Sequence, residues 1–212
     1  MHKFIKIIVQ ILVQCWCKVY TNQTSVRLVG YRNSIYTIWI SNFMGNVGSN
    51  SSINYPCKLW GGGQRKITIG YNTTIQSHCI LGCWVRYANV GYSPSLSIGN
   101  NCNIGEHAHI SAINRIEIGD GLLTGRYVYI GDNSHGGLSW EEASTPPIKR
   151  ALASKGPVII GNNVWIGDKC TILSGVTIGD NAIIGANSVV THDIPSNSVA
   201  AGMPAKIIKQ LK

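Results

Sequence analysis

Aliphatic residues recur at every sixth position through most of the chain. Eighteen such positions form six groups of three; seventeen are Val, Ile or Leu, and Gly follows twelve of them. A period of six matches neither the 3.6-residue period of a helix nor the alternation of a simple strand. It is the repeat of a short strand and a tight turn, three of which close a triangular coil. The positions are Val47, Ile53, Leu59, Ile69, Ile75, Leu81, Ile98, Ile104, Ile110, Ile118, Thr124, Ile130, Ile160, Ile166, Ile172, Ile178, Ile184 and Val190. The pattern predicts an all-β fold, a parallel β-helix of about six coils around an aliphatic core.

The repeat is interrupted four times, always after the third position of a group. Insertions of 4, 11, 2 and 24 residues follow Leu59, Leu81, Ile110 and Ile130. If three positions make one coil, all four insertions leave the same corner of the prism. Long loops on a compact repeat domain usually carry function. We therefore expect the active site at this corner, where the longest insertion begins; the loop within it spans residues 136–157.

The segments outside the repeat are shorter. We predict an N-terminal helix and irregular cap over residues 1–46, the β-helix over 47–195, and a C-terminal tail over 196–212. Phe4–Val13 is apolar with a narrow polar stripe, and it is too short to span a bilayer. Two interpretations of the helix stay open. Packing across the open end of the solenoid is favoured, because terminal repeats need caps; residues 3–18 could instead contact a membrane surface.

Charge and cysteine placement limit the partners and the compartment. The net charge of +9 favours an anionic partner, such as an acidic lipid surface or a phosphorylated cofactor. No Lys/Arg run is present, which argues against nucleic acid. Four of the seven cysteines (Cys57, Cys79, Cys102 and Cys170) fall four residues after a repeat position, so we expect them to face inward as small apolar residues. An odd number of cysteines without a C-x-x-C pair favours a cytoplasmic location, peripheral at the inner face of the membrane if the helix contacts lipid.

His135 is the strongest catalytic candidate, because it ends its coil where the longest insertion begins. A neutral imidazole can take a proton from a hydroxyl group at neutral pH. Asp132 could orient the ring and stabilise its cation, and Glu141 and Glu142 are alternatives if the loop folds back. The competing interpretation is a surface or capping histidine.

Two further sets of residues bear on metal binding and on assembly. His107 and His109, with His78 or His135, could suggest a metal site, but no other ligand falls at a matching position, so we predict no metal. The outward positions of Tyr127, Tyr129 and Trp165 predict a subunit interface. A prism with three faces most simply assembles by cyclic symmetry.

Residues 96–209 resemble the hexapeptide-repeat O-acetyltransferases. The resemblance rests on an ordered set of motifs: Ile118-Gly119-Asp120, Asp132-Asn133-Ser134-His135-Gly136, Asn162-Asn163-Val164-Trp165-Ile166-Gly167, Gly175-Val176-Thr177-Ile178-Gly179-Asp180, and Ala201-Gly202-Met203-Pro204-Ala205-Lys206. The maltose and galactoside acetyltransferases share these motifs. The loop containing Lys149-Arg150 is most similar to the acetyltransferases of bacterial surface polysaccharide synthesis.

The resemblance implies a homotrimer of left-handed β-helices with acetyl-CoA in a groove between prisms. It makes His135 the catalytic histidine and Trp165 an active-site aromatic residue. It places the backbone of Asp168 near the thioester, and Ala186, Thr191 and Lys209 against the rest of the cofactor. This chain has His192 where the family usually has Lys, so Lys206 or Lys209 is expected to meet the phosphates instead.

These observations predict an acetyl-CoA-dependent O-acetyltransferase that acts on a sugar hydroxyl, in a polysaccharide or glycolipid precursor. His135 would serve as the general base for direct attack on the thioester. Three alternatives stay open: an N-acetyltransferase of an amino sugar, a structural or binding β-helix without catalysis, and a hexapeptide carbonic anhydrase, which would bind zinc.

Overall fold

A computed structural model describes residues 2–137 and 139–210 of the chain. The helices are α1 (His2–Val19), α2 (Asn22–Ser41) and the short α3 (Trp140–Ala143), and 3₁₀ turns span Gln64–Lys66 and Pro147–Lys149. The strands are, in chain order, β1 (Asn46–Val47), β2 (Ser52–Ile53), β3 (Cys57–Trp60), β4 (Ile67–Ile69), β5 (Thr74–Ile75), β6 (Cys79–Cys83), β7 (Arg86–Tyr87), β8 (Val90–Gly91), β9 (Ser95–Ile98), β10 (Asn103–Ile104), β11 (His109–Ala112), β12 (Arg115–Ile118), β13 (Leu123–Thr124), β14 (Tyr129–Gly131), β15 (Ser134–His135), β16 (Leu152–Ala153), β17 (Val158–Ile160), β18 (Trp165–Ile166), β19 (Thr171–Ile172), β20 (Thr177–Ile178), β21 (Ile183–Ile184), β22 (Val189–Val190), β23 (Ser198–Gly202) and β24 (Ala205–Gln210).

Three long parallel sheets form the faces of a prism. The first sheet has the order β1-β4-β9-β12-β17-β20, the second β2-β5-β10-β13-β18-β21-β23-β24, and the third β3-β6-β11-β14-β19-β22. Each sheet takes one strand from every coil, as the period of six predicts. The repeat positions also stack in the predicted register, since Ile69, Ile98 and Ile118 are successive partners in the first sheet.

The core of the prism is the predicted aliphatic column. Sixteen of the eighteen repeat positions are buried, and only Val47 and Leu59, in the first coil, are half-buried. Burying one such side chain contributes roughly 1.5–3 kcal/mol. The four cysteines that follow the repeat are buried as predicted, and Cys83 joins them, whereas Cys15 and Cys17 are exposed.

The N-terminal prediction was wrong for residues 22–41, which form the second helix, α2, rather than irregular structure. The Thr21 hydroxyl accepts a hydrogen bond from Thr24 N and so begins the helix. Tyr36 and Thr37 then attach α2 to the first coil through backbone groups of Cys57 and Ile53. The cap of the solenoid is therefore α2, and α1 buries none of its residues.

The C-terminal prediction was also wrong in part, because residues 198–210 are not a simple tail. Ile194 bridges to Ile178 and β23 pairs in parallel with β21, so the chain begins a seventh coil. Strand β24 then returns antiparallel to β23 and ends the second sheet. This hairpin lies at the end of the prism opposite α2.

The insertions leave the prism where the third sheet turns into the first, and we call this edge the insertion corner. They pack on one another there. The Tyr87 hydroxyl donates to Ile148 O at 3.1 Å, and the Tyr92 hydroxyl accepts from Leu152 N at 2.7 Å and donates to Leu152 O at 3.1 Å. The 11-residue insertion thus holds the 24-residue one. The predicted common corner is confirmed.

Candidate active site

His135 lies at the insertion corner in the two-stranded ribbon β15–β16. Its backbone pairs with Leu152 at the far end of the longest insertion, so the loop folds back onto the residue from which it departs. The imidazole is exposed, and its ring meets Tyr87 edge-on at a centroid distance of 5.2 Å. The ring is therefore placed by the backbone and by one aromatic neighbour, and it stays accessible to a substrate.

Asp132 does not orient His135, which corrects the sequence-based expectation. The residue is fully buried, and its carboxylate accepts from Ile113 N at 2.8 Å and from Asn114 N at 2.9 Å. Asn133 Nδ2 donates to the same carboxylate at 3.1 Å. Asp132 therefore fixes the two-residue insertion against the base of the longest one, which is a structural role.

Glu142 approaches the backbone beside His135 more closely than Glu141 does. One carboxylate oxygen of Glu142 is buried without a hydrogen-bond partner among the described residues. It lies so near the loop that a Cβ on Gly137 would be 3.0 Å from it. Glu141 is exposed. Neither glutamate forms a hydrogen bond to the His135 ring in the part of the chain that the structure describes, so no acidic partner of the imidazole is in place.

The start of the longest insertion borders an open cavity of about 290 Å³, whose lining begins two residues after His135. Its lining includes Gly137, Trp140 and Arg150. The Arg150 guanidinium is held by the carbonyl oxygens of Thr145 and Ala143, and the Trp140 side chain is 93% exposed. A cation and an exposed indole in one open cavity are suited to holding a polar ring compound.

A series of aromatic rings links the third sheet to His135. Adjacent centroids are 5.4, 6.1, 6.4, 5.8 and 5.2 Å apart along Tyr129, His109, Trp60, Trp84, Tyr87 and His135. We call these rings the aromatic track. Trp60, Trp84 and Tyr87 were not predicted as site residues from the sequence. All three border an insertion that leaves the insertion corner, a signal that could have found them.

His107 and His109 diverge instead of forming a ligand pair. His107 sits at a turn with φ of 60° and stacks between His78 and Tyr127, at centroid distances of 4.7 and 4.6 Å. His109 belongs to the aromatic track, and burial lowers the pKa of its imidazole. Within residues 2–137 and 139–210, no cluster of three His, Cys, Asp or Glu side chains is arranged to hold a metal ion.

Trp165, Asp168 and Ala186 lie together, away from His135. Trp165 is exposed on the second sheet, and Asp168 and Ala186 follow the second sheet one coil apart, at the turn into the third sheet. We call this edge the second corner. The backbone N–H groups of Asp168 and Ala186 make no hydrogen bond in the described residues, while the Asp168 carboxylate accepts from Arg126 N at 2.9 Å. The second corner thus offers two stacked backbone donors.

The remaining cofactor candidates lie near the C-terminal end of the prism. Thr191 and His192 follow β22 at the insertion corner, two coils beyond His135, and the Thr191 hydroxyl is 2.8 Å from His192 Nδ1. Lys206 and Lys209 are exposed on β24 at the end of the second sheet. Within a single chain, the predicted site residues therefore lie at two different corners. The proposed base, His135, is at the insertion corner, and Trp165 is near the second corner.

A family model and a curated relative decide the classification. Residues 157–192 match the family described as "Bacterial transferase hexapeptide (six repeats)". The "Putative lipopolysaccharide biosynthesis O-acetyl transferase WbbJ" of Escherichia coli K12 is 35% identical over 162 residues, covering 74% of this chain and 78% of that protein. The chain belongs to the hexapeptide-repeat acetyltransferases. It is an enzyme, as the sequence predicts.

Solved structures agree with this classification. The maltose O-acetyltransferase of Clostridium difficile 630 has a TM-score of 0.55 and 28% identity, over 82% of this chain and 73% of that one. AntD, an N-acyltransferase of Bacillus cereus solved with dTDP and 3-hydroxybutyryl-CoA, has a TM-score of 0.65 at 23% identity, over 81% of this chain and 85% of that one. The second likeness concerns the fold alone. The predicted left-handed parallel β-helix is confirmed.

Proposed function

We propose that this protein transfers an acetyl group from acetyl-CoA to a sugar hydroxyl in a polysaccharide or glycolipid precursor. The observation that carries the proposal is the placement of His135. It is an exposed imidazole at the one corner where all four insertions meet, beside the aromatic track. Named sugar O-acetyltransferases among its relatives support the same chemistry.

The chemistry follows from an accessible imidazole. His135 takes the proton of the acceptor hydroxyl as its oxygen attacks the thioester carbonyl carbon. The tetrahedral intermediate collapses, the carbon–sulfur bond breaks, and the departing CoA sulfur receives the proton from the imidazolium. The N–H of Asp168, which makes no hydrogen bond within the described residues, is our candidate donor to the oxyanion, an interaction commonly worth about 3 kcal/mol.

The cofactor contacts are proposed at the second corner and the C-terminal end. The stacked N–H groups of Asp168 and Ala186 suit the amides of the pantetheine arm, and Trp165 offers an exposed apolar ring beside them. Lys206 and Lys209 would meet the phosphates, since His192 replaces the lysine that the family resemblance leads one to expect. Thr191 would contact the adenine nucleotide from the insertion corner.

We further propose that the complete site forms between subunits of a homotrimer. His135 follows the third sheet, whereas Trp165 lies on the second, so one prism presents them at different corners. A neighbouring prism can bring its second corner to the insertion corner of the first. Two inactive variants, His135→Ala and Trp165→Ala, would then restore activity when their subunits are mixed. Absence of restored activity in verified mixed trimers would contradict a shared site.

The aromatic track is the proposed surface for the acceptor. Within the track, Trp84 contacts Tyr87 at a centroid distance of 5.8 Å, and Tyr87 contacts His135 at 5.2 Å. Aromatic rings present large apolar faces at little cost in conformational entropy, and the Tyr87 hydroxyl and the Trp84 N–H add polar groups. Trp84→Ala should therefore raise the KM for the acceptor and leave that for acetyl-CoA unchanged, with Tyr71→Ala on the first sheet's edge as the control.

The test is release of CoA thiol from acetyl-CoA with a panel of sugars and polysaccharide repeat units. Acetylation of a hydroxyl gives an ester, which mild alkali removes, whereas an amino sugar gives an amide that survives. Alkali-labile product on a sugar supports the proposal. The N-acyltransferase alternative, suggested by the fold of AntD, would give only alkali-stable product. No turnover with any sugar or amino sugar would contradict both.

A further inference from the structure

Helix α1 exposes an unusually large apolar surface. None of its eighteen residues is buried, and ten of its large hydrophobic side chains are at least 42% exposed. They are Phe4, Ile5, Ile7, Ile8, Val9, Ile11, Leu12, Val13, Trp16 and Val19. A contiguous apolar patch of this kind marks an interaction site. The cap of the solenoid is α2, so α1 is not needed to close the first coil.

The few polar residues of α1 are confined to one side. At 100° per residue, Lys3, Lys6, Gln10, Gln14 and Lys18 fall within an arc of about 120°, and His2 lies about 40° beyond its edge. The opposite side holds only apolar residues, including Ile8, Leu12 and Trp16. A basic stripe opposite a wide apolar face is the arrangement of helices that lie in a bilayer interface.

Helix α2 adds a second apolar face on the side away from the prism. Tyr36 and Thr37 bond to the first coil, whereas Tyr31, Ile35 and Ile38, on the other side of the helix, are about 70% exposed. Both helices thus present apolar side chains that stay exposed in the part of the chain that the structure describes.

The charge of the chain is concentrated at the same end. The first 105 residues contain nine Lys or Arg and no Asp or Glu, whereas residues 106–212 contain nine of each. The entire net charge of +9 therefore belongs to the helices, the first two coils, the 11-residue insertion and the start of the third coil. Because the coils stack in chain order, this basic region is one end of the prism.

We propose that α1 and the outer face of α2 bind the surface of an anionic bilayer, with the prism projecting from it. Anionic headgroups match the basic residues, and the acyl boundary matches the apolar side of α1. A second copy of this chain would bring like charges together, and so it fits this surface less well. In the part of the chain that the structure describes, no single helix is long and apolar enough to cross a membrane, although α1 and α2 taken together, with a 60° bend between them, have the length and apolar character of a membrane span. The regular basic stripe of α1 favours the interface over a crossing.

Bilayer binding of this kind would also set the distance of His135, at the insertion corner, from the membrane surface. His135 follows the fourth coil, three coil spacings from the first, which corresponds to about 14 Å along the prism. The site would then face outward close to the membrane surface. This consequence rests on the proposed function, but the bilayer proposal itself does not.

The experiment is co-sedimentation of the full chain with vesicles of phosphatidylcholine, alone or mixed equally with phosphatidylglycerol. We expect strong binding to the anionic vesicles, weakened by salt. Each basic residue near an anionic surface strengthens binding about fivefold, so Lys3→Gln, Lys6→Gln and Lys18→Gln together should weaken it roughly 100-fold. Leu12→Asp should weaken it at least about 10-fold, because it places a charge in the apolar face.

A matched control keeps the loss of net charge the same. Lys149→Gln, Lys155→Gln and Lys169→Gln remove three exposed cations from the C-terminal half, and they should leave vesicle binding within about twofold of wild type. Equal losses in both triple variants would overturn the proposal, as would equal binding to the two vesicle compositions. Failure of the wild-type protein to bind vesicles, together with loss of its oligomeric state in Leu12→Asp, would also overturn the proposal. Resistance of the membrane-bound protein to extraction by alkaline carbonate would overturn it as well. Circular dichroism should show the fold retained in every variant, because the substituted side chains are exposed.

Discussion

Substitution of Asp132 tests whether its carboxylate stabilises the fold or takes part in catalysis. Its carboxylate accepts hydrogen bonds from Ile113 N and Asn114 N and is fully buried. A hydrogen bond to a charged group contributes about 1.5–3 kcal/mol, so Asp132→Ala should lower the free energy of unfolding by about 3–6 kcal/mol. That is a large part of the 5–15 kcal/mol typical of a folded domain.

Asp132→Asn gives the sharper comparison, because the side chain keeps its shape. One amide oxygen can still accept one N–H, while the NH₂ group faces the other donor. We expect a loss of about 3 kcal/mol in urea-induced unfolding, with kcat of the folded variant within a few-fold of wild type. In triads where the acid orients the histidine, the same substitution lowers kcat about 10⁴-fold. Unchanged stability together with a fall of that size would refute the structural assignment.

Further outcomes are expected for the cysteines, for His109 and for the C-terminal lysines. In the native protein only Cys15 and Cys17 should react with Ellman's reagent, and the other five thiols should react only after denaturation. Burial raises the pKa of Cys79 to about 11 and of Cys83 to about 12, which keeps these thiols protonated. Rapid labelling of all seven thiols would contradict the packed core. Burial lowers the pKa of His109 in the folded state, so the unfolded chain binds the proton more readily, and stability should fall as the pH drops below about 6.5. The thermal midpoint of His109→Gln should lose less on acidification than that of wild type; an identical loss would mean that other groups dominate. Lys206→Ala with Lys209→Ala should weaken CoA binding about 10-fold or more and reduce its salt dependence in calorimetric titrations, whereas Lys58→Ala at the opposite end should not. Unchanged affinity in the double variant would remove these lysines from the cofactor site.

The solenoid could be predicted from the sequence because its core is periodic. Ile98, Ile118 and Ile160 stack in the predicted register. The four interruptions of the six-residue repeat located the insertion corner. Helix α2 was missed because its contact with the prism uses Tyr36, Thr37 and Ile40, which give no clear apolar stripe. Packing against the first coil, rather than amphipathicity, holds this helix in place.

The candidate site was less predictable, because its contacts join segments that are far apart in the chain. Asp132 lies three residues from His135, yet its carboxylate turns inward to backbone groups about twenty residues earlier. The contact between Tyr87 and His135 joins two insertions whose conformations no repeat constrains. The separation of His135 from Trp165 depends on which sheet each strand joins, and it became visible only in three dimensions.

The most direct test of acetyl transfer at the insertion corner is the turnover of His135→Ala with acetyl-CoA and a verified sugar acceptor. The side chain is exposed and lies outside the core, so the variant should keep its fold, its assembly and its affinity for acetyl-CoA. Turnover should fall by roughly 10²-fold or more, whereas His107→Ala, at the second corner, should change it little. Wild-type turnover in His135→Ala would contradict the assignment of the base and, with it, the placement of the active site.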